Sequence, residues 1–462
     1  MNEKVRAKTI WAVIAVGILA FAGVLTKTAT NVAFPAIMDS FRINLSSVQW
    51  LTTAYMLTAT LVIPLSAYLQ PSFSDRRLFL AGSGFFLAGT LLISWSPWFS
   101  LIIVGRVIQG IGNGIAIPLM FNIILEQVPK SYLGMMMGVG TLITATAGAL
   151  GPSYGGVIVK FWGWRMIFIA LVPLLLLSLV IGLATINGPD RHPQSQFDLL
   201  SYCWLIVGLV GIILGQNSLK TGNWVLIISE YLFGIIGLVL FVRRSLHSDS
   251  PILNMLVFKH HRFNWLALSY FMTFFVFLSM SFVTPNYVQL VDHRDSLIAG
   301  LVVLPGAVMA AILAPVSGHI LDHYGARRPV LCGTSLMLAG LVLLAMLALH
   351  LSAICFTLIY LLMMTGMGLC ASNIMTTAID ALGKNLKTDG NAILNTLQQL
   401  AGAMWTSLSA LIISLGSEQS GMSQALATAH GMRHVFVLFC LMLVIEITIL
   451  WHQLHQDRTV SQ

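Results

Sequence analysis

Long apolar stretches recur along this 462-residue chain from one end to the other. Each is close to the roughly 20 residues that an α-helix needs to cross the hydrocarbon core of a bilayer. A helix that is apolar on all sides must be buried, and the core of a soluble domain cannot bury so many of them. The composition agrees, because 57% of the residues are hydrophobic and only 9% are charged, against about 25% charged in ordinary soluble domains. We therefore predict an all-α polytopic membrane protein.

Hydropathy predicts fourteen transmembrane helices. They lie near 10–37, 48–69, 78–95, 100–125, 134–159, 165–187, 199–216, 224–242, 264–290, 297–320, 329–349, 352–376, 392–415 and 434–452. The first run is too long for a signal-peptide core and is expected to be retained. Thirteen spans would result if the seventh and eighth formed one hairpin dipping into the membrane, but each is long enough to cross alone.

Loop charges predict the orientation. With the N-terminus inside, the inward segments carry sixteen lysines and arginines and the outward ones carry six. Cytoplasmic loops are enriched in these residues, so we expect a multi-pass protein of the plasma membrane with both termini in the cytoplasm. The net charge of +8 is then explained by basic loops facing anionic lipid, and no nucleic-acid partner is expected.

The chain divides into two halves around an inserted pair of spans. Its longest inward links, 187–198 and 243–262, bracket the seventh and eighth spans. The predicted division is a six-helix bundle at 1–190, a hairpin at 191–250 and a second six-helix bundle with its tail at 251–462. The segment from Gly318 to Arg328 and a degraded copy from Tyr68 to Arg77 follow the tenth and second spans. Paired halves around a midplane site are typical of secondary transporters.

Several other classes of protein are excluded. The five cysteines are scattered through apolar segments, so neither a disulfide nor a metal site is expected. No phosphate-binding Gly-x-x-x-x-Gly-Lys loop occurs, which argues against ATP as the energy source. Gly151-Pro152-Ser153-Tyr154-Gly155 matches a hydrolase nucleophile string, but it lies inside a predicted span rather than at a strand-to-helix turn. We expect no enzyme activity and no cofactor.

Two glycine-rich segments inside predicted spans are the most informative motifs. One runs from Gly105 to Gly114 and contains Arg106, and the other runs from Ala147 to Gly156. A cation in mid-membrane costs about 2.5–3.5 kcal/mol on insertion scales, and glycines let helices approach closely. Together they favour a moving gate over a static core.

These segments resemble the fourth- and fifth-helix signatures of the major facilitator superfamily, the latter being the mark of its exporters. The order of further matches is similar to the fourteen-helix drug:proton antiporter branch (EmrB/QacA-like): Asn31-Val32-Ala33-Phe34-Pro35, Gln49-Trp50, Ala54-Tyr55-Met56-Leu57, Trp164-Arg165-Met166-Ile167-Phe168, Gln289 and Asn395-Thr396-Leu397-Gln398-Gln399-Leu400. The resemblance implies the major facilitator fold, two six-helix bundles plus two inserted helices, and the exchange of protons for a small amphipathic substrate.

The chain departs from this branch at two places. The first cytoplasmic-loop motif, which in the family needs Gly, Asp and Gly, here has Tyr68, Ser72 and Asp75. Where relatives have an acid in the first span, this chain has Thr26 followed by Lys27. Family membership alone therefore does not identify the group that carries the proton or the charge of the substrate.

The candidate gating and proton-transfer residues belong to three groups. Arg106, with Gln109 one turn along, either takes part in proton transfer or is a structural arginine satisfied by carbonyls. Gly151 and Pro152 predict a hinge and packing face. The remaining candidates are charged: Asp322, Arg327 and Arg328 as a latch between helix ends or a solvated loop, and Glu230 and Glu446 as intramembrane carboxylates, with Glu230 alternatively at the headgroups.

The candidate substrate-binding residues are polar or aromatic and are chosen by position: Thr26, Lys27, Asn31, Trp50, Tyr55, Asn113, Phe271, Asn286, Tyr287, Gln289, Asn373 and Gln398. Such side chains bind varied amphipathic molecules by stacking and adaptable hydrogen bonds. Lys27 either snorkels to the outer interface or points into the cavity, where it favours anionic or neutral ligands.

Together these features predict a monomeric, proton-coupled exporter of small amphipathic compounds that works by alternating access in contact with membrane lipid. The alternative is an exporter or uniporter of a lipid or an anionic metabolite that is not coupled through a first-helix carboxylate.

Overall fold

The computed structural model describes residues 6–43, 45–186, 197–219, 222–248, 251–294, 296–349, 351–417 and 424–455. These residues form sixteen α-helices and no β-strand. The helices are α1 (Ala7–Val32), α2 (Phe34–Phe41), α3 (Leu45–Ser72), α4 (Asp75–Trp95), α5 (Phe99–Gln127), α6 (Leu133–Trp162), α7 (Met166–Ile169), α8 (Val172–Thr185), α9 (Leu199–Ser218), α10 (Trp224–His247), α11 (His261–Leu290), α12 (Ser296–Tyr324), α13 (Arg327–Leu347), α14 (Ala353–Asp380), α15 (Lys387–Ser417) and α16 (Gln424–His455).

The helices account for the fourteen predicted spans. Thirteen stretches among the described residues are long and apolar enough to cross a membrane, and α15 covers the remaining prediction at 392–415. The seventh and eighth predictions are two separate helices, α9 and α10. The last span is longer than predicted, because α16 begins at Gln424 rather than near 434.

Two predicted spans are each divided into two helices. The first breaks at Ala33, where α2 begins with a proline in its first turn, and the sixth breaks between α7 and α8, again with a proline in the first turn of the second helix. Proline lacks an N–H but is tolerated at a helix start, where that donor has no intrahelical acceptor. By contrast, α6 continues as one helix through Pro152.

The helices pack as two bundles of six spans each, and two spans of the first bundle are each divided into two helices. Helices α1 to α8 form the first bundle, in which α5 packs against α1, α3 and α4, and α11 to α16 form the second, in which α14 packs against α11, α12 and α13. The bundles meet where α6 packs against α12 and where α3 packs against α15. The α9–α10 pair lies beside this junction, with α9 in contact with α3 and α15.

Small residues set the distance between the bundles. A Cβ added to Gly318 on α12 would overlap the backbone of Gly134 on α6, and a Cβ on Gly138 would overlap the backbone at Ala314. The two helix backbones therefore touch, as in small-residue packing of membrane helices.

Candidate transport site

The guanidinium of Arg106 lies in the interior of the first bundle. The residue is 0% exposed, its Nε donates to the carbonyl of Leu51 over 3.0 Å, and its Nη1 donates to Oε1 of Gln109 over 3.0 Å. Its carbon Cζ stacks 4.3 Å above the centroid of the Tyr55 ring. The Nη2 atom is buried and has no hydrogen-bond partner among the described residues. Two donor hydrogens of a buried cation are therefore left for another acceptor.

Gln109 links Arg106 on α5 to the neighbouring helix α4. Its Nε2 donates to Oγ1 of Thr90 on α4 over 2.8 Å, and this orients Oε1 toward the guanidinium. The sequence predicted Gln109 on the same face as Arg106, one turn along α5, but Thr90 was not predicted. A threonine in an apolar helix carries no distinctive signal by itself, since its hydroxyl commonly bonds to its own backbone.

Tyr55 and Asn113 bring α3 and α5 against α1 at Gly23. The Tyr55 hydroxyl donates to the Gly23 carbonyl over 2.8 Å, and a Cβ on Gly23 would overlap the Asn113 side chain. Asn113 is 1% exposed, and its Oδ1 has no hydrogen-bond partner among the described residues. This corner of the bundle therefore combines two unpaired polar groups, Nη2 of Arg106 and Oδ1 of Asn113.

Lys27 lies on α1 between residues that face α3, α5 and α6. An α-helix turns about 100° per residue, so Lys27 lies about 40° from Gly23, which faces α3 and α5, and about 60° from Val24, which lies close to Gly148 of α6. Both α3 and α6 contact the other bundle. The Lys27 side chain is half-buried. That Lys27 points into a cavity rather than snorkelling outward stays a prediction.

The neighbouring candidates on α1 and α3 differ in exposure. Thr26 is 0% exposed and donates to its own helix at the carbonyls of Ala22 and Gly23. Asn31, one turn beyond Lys27, is exposed, and its Oδ1 accepts from Oγ1 of Thr52 over 2.7 Å. Trp50 is 47% exposed.

The candidates in the second bundle are largely engaged in packing. Tyr287 donates to the carbonyl of Ala348 over 2.6 Å, and Asn373 donates to Oγ of Ser317 over 2.6 Å. Gln398 accepts from the Tyr270 hydroxyl over 2.9 Å, and the half-buried ring of Phe271 packs against Phe275. The side chains of Asn286 and Gln289 lie outside what the structure describes.

The two intramembrane carboxylates have different surroundings. Glu446 on α16 is 0% exposed. Its Oε1 accepts from Oγ1 of Thr273 on α11 over 2.6 Å, and its Oε2 has no partner among the described residues. Glu230 is partly exposed on α10, a helix with a largely exposed surface, although its Oε2 is also buried without a partner among the described residues.

Asp322 joins the two bundles at one end of the molecule, referred to below as the Asp322 end. Its Oδ1 accepts from the N–H of Gly134 over 2.8 Å, and its Oδ2 accepts from the N–H of Met135 over 3.0 Å. These are among the first amides of α6, which have no acceptor within the helix, and the positive end of the helix dipole favours a carboxylate there. Arg327 stacks 4.7 Å over Trp451 of α16, while Arg328 is exposed.

A chain of buried side chains makes a second connection at the Asp322 end. Asp75 accepts from Gln70 over 2.9 Å, and Gln70 accepts from Asn122 over 3.4 Å. Asn122 then accepts from Asn391 of α15 over 2.6 Å, and Asn391 accepts from Asn395 over 2.7 Å. We call these four side chains the amide chain: Gln70, Asn122, Asn391 and Asn395. The amide chain connects Asp75, in the degraded copy of the loop motif, to α15 of the second bundle.

Comparison with known proteins identifies the family. The model of the Major Facilitator Superfamily matches residues 16–406. The chain belongs to the major facilitator superfamily. Its relatives include the lincomycin resistance protein LmrB of Listeria monocytogenes, 32% identical over 86% of this chain and 85% of that protein. Another is the MFS-type transporter YcnB of Bacillus subtilis, 29% identical over 95% and 94%. The proton:xylose symporter XylE shares the fold, with a TM-score of 0.68 at 13% identity over 97% of this chain and 96% of that one.

In this major facilitator, the residues singled out from the sequence occupy three separate places. Arg106, Gln109, Tyr55, Asn113 and Lys27 meet in the first bundle, Glu446 lies inside the second, and Asp322 connects the two. Gly151 packs against Thr28 of α1, and Pro152 beside it is partly buried. Thr90, Thr273 and the amide chain were not predicted, although the four-residue spacing of Asn391 and Asn395 places both amides on one helix face.

Proposed function

We propose that this chain is a secondary active transporter of the plasma membrane that exports small amphipathic compounds in exchange for protons. The observation that carries the proposal is the buried Arg106 with its unpaired Nη2, in the same corner of the first bundle as the half-buried Lys27. Ionisable groups kept inside a membrane protein mark substrate and ion paths. The name of LmrB, a lincomycin resistance protein, supports a drug-like substrate.

The transport cycle in this proposal is alternating access between two rigid bundles. The bundles correspond to 1–190 and 251–462, with 191–250 as the inserted hairpin, which is the arrangement of the fourteen-helix drug:proton antiporter branch. The chain works as a monomer surrounded by lipid, with both termini in the cytoplasm. Asp322 and the amide chain close the cytoplasmic end, and Arg106 lies on the substrate side of this closure.

We assign the proton to Glu446 rather than to a first-helix acid. Burying an unpaired carboxylate as an ion is very costly, and Thr273 is its hydrogen-bond partner. The protonated form, with a hydroxyl to donate, suits this site in the present conformation. A conformation that admits water would release the proton, and this difference between states is what coupling requires.

Proteoliposomes test the proposal. An imposed pH gradient should drive movement of amphipathic test compounds against their concentration gradient. Glu446→Gln, which keeps the shape and the bond to Thr273, should abolish stimulation by the pH gradient while substrate exchange without a gradient persists. The same change at Glu230 tests the other intramembrane carboxylate. Unchanged gradient-driven transport in both variants would contradict proton coupling through a carboxylate in the membrane.

A second candidate function is transport of an anion without proton coupling. It is favoured by the absence of any carboxylate paired with Lys27 or Arg106 among the described residues. In that case a membrane potential that is negative inside would drive export in liposomes even at equal pH.

A further inference from the structure

Lys27 and Arg106 place two cations in one part of the first bundle. Arg106 stacks over the Tyr55 ring, and the Tyr55 hydroxyl donates to Gly23, one turn before Lys27 on α1. No acidic side chain among the described residues forms an ion pair with either cation. By contrast, two basic residues at helix ends do have acidic partners: Arg244 has Asp198 at 3.0 Å and Lys387 has Asp380 at 2.6 Å. The interior site therefore carries an uncompensated positive charge.

An uncompensated pair of cations is costly inside a membrane protein. Each charge loses hydration, and the two repel one another. Arg106 offsets part of this cost with Leu51, Gln109 and the face of Tyr55. Within the part of the chain that the structure describes, Lys27 has no comparable set of contacts, and Nη2 of Arg106 has no hydrogen-bond partner. A ligand that brings negative charge close to Lys27 and Arg106 would therefore stabilise the protein.

The position of Lys27 allows an anionic ligand to reach it. It is partly accessible between the helices that contact the other bundle, α3 on one side and α6 on the other. Asn31 lies one turn further along α1 and is exposed, so a ligand has a polar path toward Lys27.

We propose that the substrates of this transporter are small amphipathic anions whose acidic group, a carboxylate, sulfonate or phosphate, is bound by Lys27 with Arg106 behind it. This assignment rests on the proposed function and adds the charge of the substrate to it. Lys27 supplies the contact that distinguishes an anion from a neutral or cationic compound of the same shape. Two opposite unit charges about 6 Å apart at an effective dielectric of about 20 favour binding by on the order of a hundred-fold.

The test uses three naphthalene compounds of similar shape that differ in charge: the anion naphthalene-1-sulfonate, the neutral naphthalene-1-sulfonamide and the cation trimethyl-1-naphthylammonium. Equilibrium binding is measured on the purified full chain in phosphatidylcholine nanodiscs. The wild type should bind the sulfonate most tightly. Lys27→Gln should weaken sulfonate binding on the order of a hundred-fold, leave the sulfonamide nearly unchanged and strengthen the ammonium. Lys27→Arg should retain most of the preference because it retains the charge.

Lys160→Gln is the matched control, since it removes one positive charge from an exposed lysine at the end of α6 and should not alter the order of the three compounds. Adding phosphatidylglycerol to the nanodiscs separates a soluble anion from a lipid headgroup. If the headgroup occupies the site, phosphatidylglycerol will compete with the sulfonate in the wild type but not in Lys27→Gln.

Two outcomes would overturn the assignment. One is equal changes for all three compounds in Lys27→Gln, and the other is a wild type that prefers the ammonium. Competition by phosphatidylglycerol would replace the small anion with a lipid as substrate. Because binding is measured without any gradient, these outcomes are independent of proton coupling: anion preference without pH-driven export would contradict the proposed function alone.

Discussion

At the scale of single residues, buried polar atoms without partners mark the places where this chain can bind something. Most buried polar groups in proteins are hydrogen-bonded, and Thr26, Gln109 and Tyr287 follow that rule. Nη2 of Arg106 and Oε2 of Glu446 do not, among the described residues. An unmade bond at a buried charged group costs several kcal/mol, so a substrate group or a proton at either atom would stabilise the protein.

Arg106→Ala should abolish gradient-driven transport while leaving the amount of protein in the membrane unchanged, since the charge opposes insertion rather than aiding it. Arg106→Lys should restore little activity, because an ammonium cannot reach Leu51 and Gln109 and stack on Tyr55 at the same time. Transport per membrane-inserted molecule is the measurement. Full activity of the alanine variant would remove Arg106 from the mechanism.

Asp389, in the first turn of α15 before the span, predicts a pH-dependent stability. Its carboxylate accepts from the N–H of Asn254 over 2.8 Å, and burial raises the pKa of Asp389 to about 6. The pKa of Asp389 in the folded state lies above the unfolded value near 3.9. The contribution of Asp389 to the free energy of unfolding is therefore full below about pH 4 and is lost as the pH rises through about 6. The melting temperature in detergent should therefore fall across this interval more in the wild type than in Asp389→Asn. Parallel curves for the two proteins would show that Asp389 is not responsible.

At the scale of helices, two connections at the Asp322 end hold the bundles together in different ways. Asp322 uses charge against the first amides of α6, and the amide chain uses neutral hydrogen bonds between α5 and α15. Charge–dipole contacts of this kind contribute up to about 2 kcal/mol, and a neutral hydrogen bond about 1 kcal/mol. Both are small enough to break in every transport cycle.

Asp322→Asn should weaken the closure at the Asp322 end and shift the chain toward the conformation open at that end. We expect a lower turnover rate with substrate affinity changed less than about threefold. The reason is distance, because Asp322 contacts the first turn of α6 at Gly134, whereas the part of α1 that carries Lys27 lies near Gly148, several turns further along α6. Turnover and equilibrium binding are measured on the same preparation. Asp380→Asn, which removes an exposed ion pair with Lys387 at that end, is the control and should have little effect. A large loss of affinity at unchanged turnover would contradict a latch.

Asn391→Ala tests the second connection. The alanine leaves Oδ1 of Asn122 without its donor, which costs about 1–3 kcal/mol for a buried group. Cross-linking between cysteines placed on α5 and α15 at the Asp322 end should become less frequent by about tenfold. Asn385→Ala, at an exposed position of the same end, should leave cross-linking unchanged. Equal cross-linking in both variants would mean that the amide chain does not hold the bundles.

At the scale of the whole molecule, opposite ends of the helices should face opposite sides of the membrane. In a background without the native cysteines, Asn223→Cys and Lys160→Cys, both exposed, should react with an impermeant reagent added to intact cells. Asn385→Cys, exposed at the Asp322 end, should react only after permeabilisation. Labelling of Asn385→Cys in intact cells would reverse the proposed orientation.

The sequence by itself determined the helical membrane fold and the number of spans, and it singled out Arg106 as a charge inside a span. These features follow from local rules, since the length of an apolar run and the cost of a charge in lipid can be evaluated one segment at a time. The helix breaks at Ala33 and between α7 and α8 were not predicted, because proline permits a break without requiring one, as the continuous α6 at Pro152 shows. Tertiary structure decided which polar groups meet. The neighbours of Lys27 are one example, because only the packing of α1 against α5 and α6 places this part of α1 beside Tyr55 and Arg106. The partners of Asp322 and Asn391 lie 188 and 269 positions away, and contacts at such separations depend on how the two bundles dock.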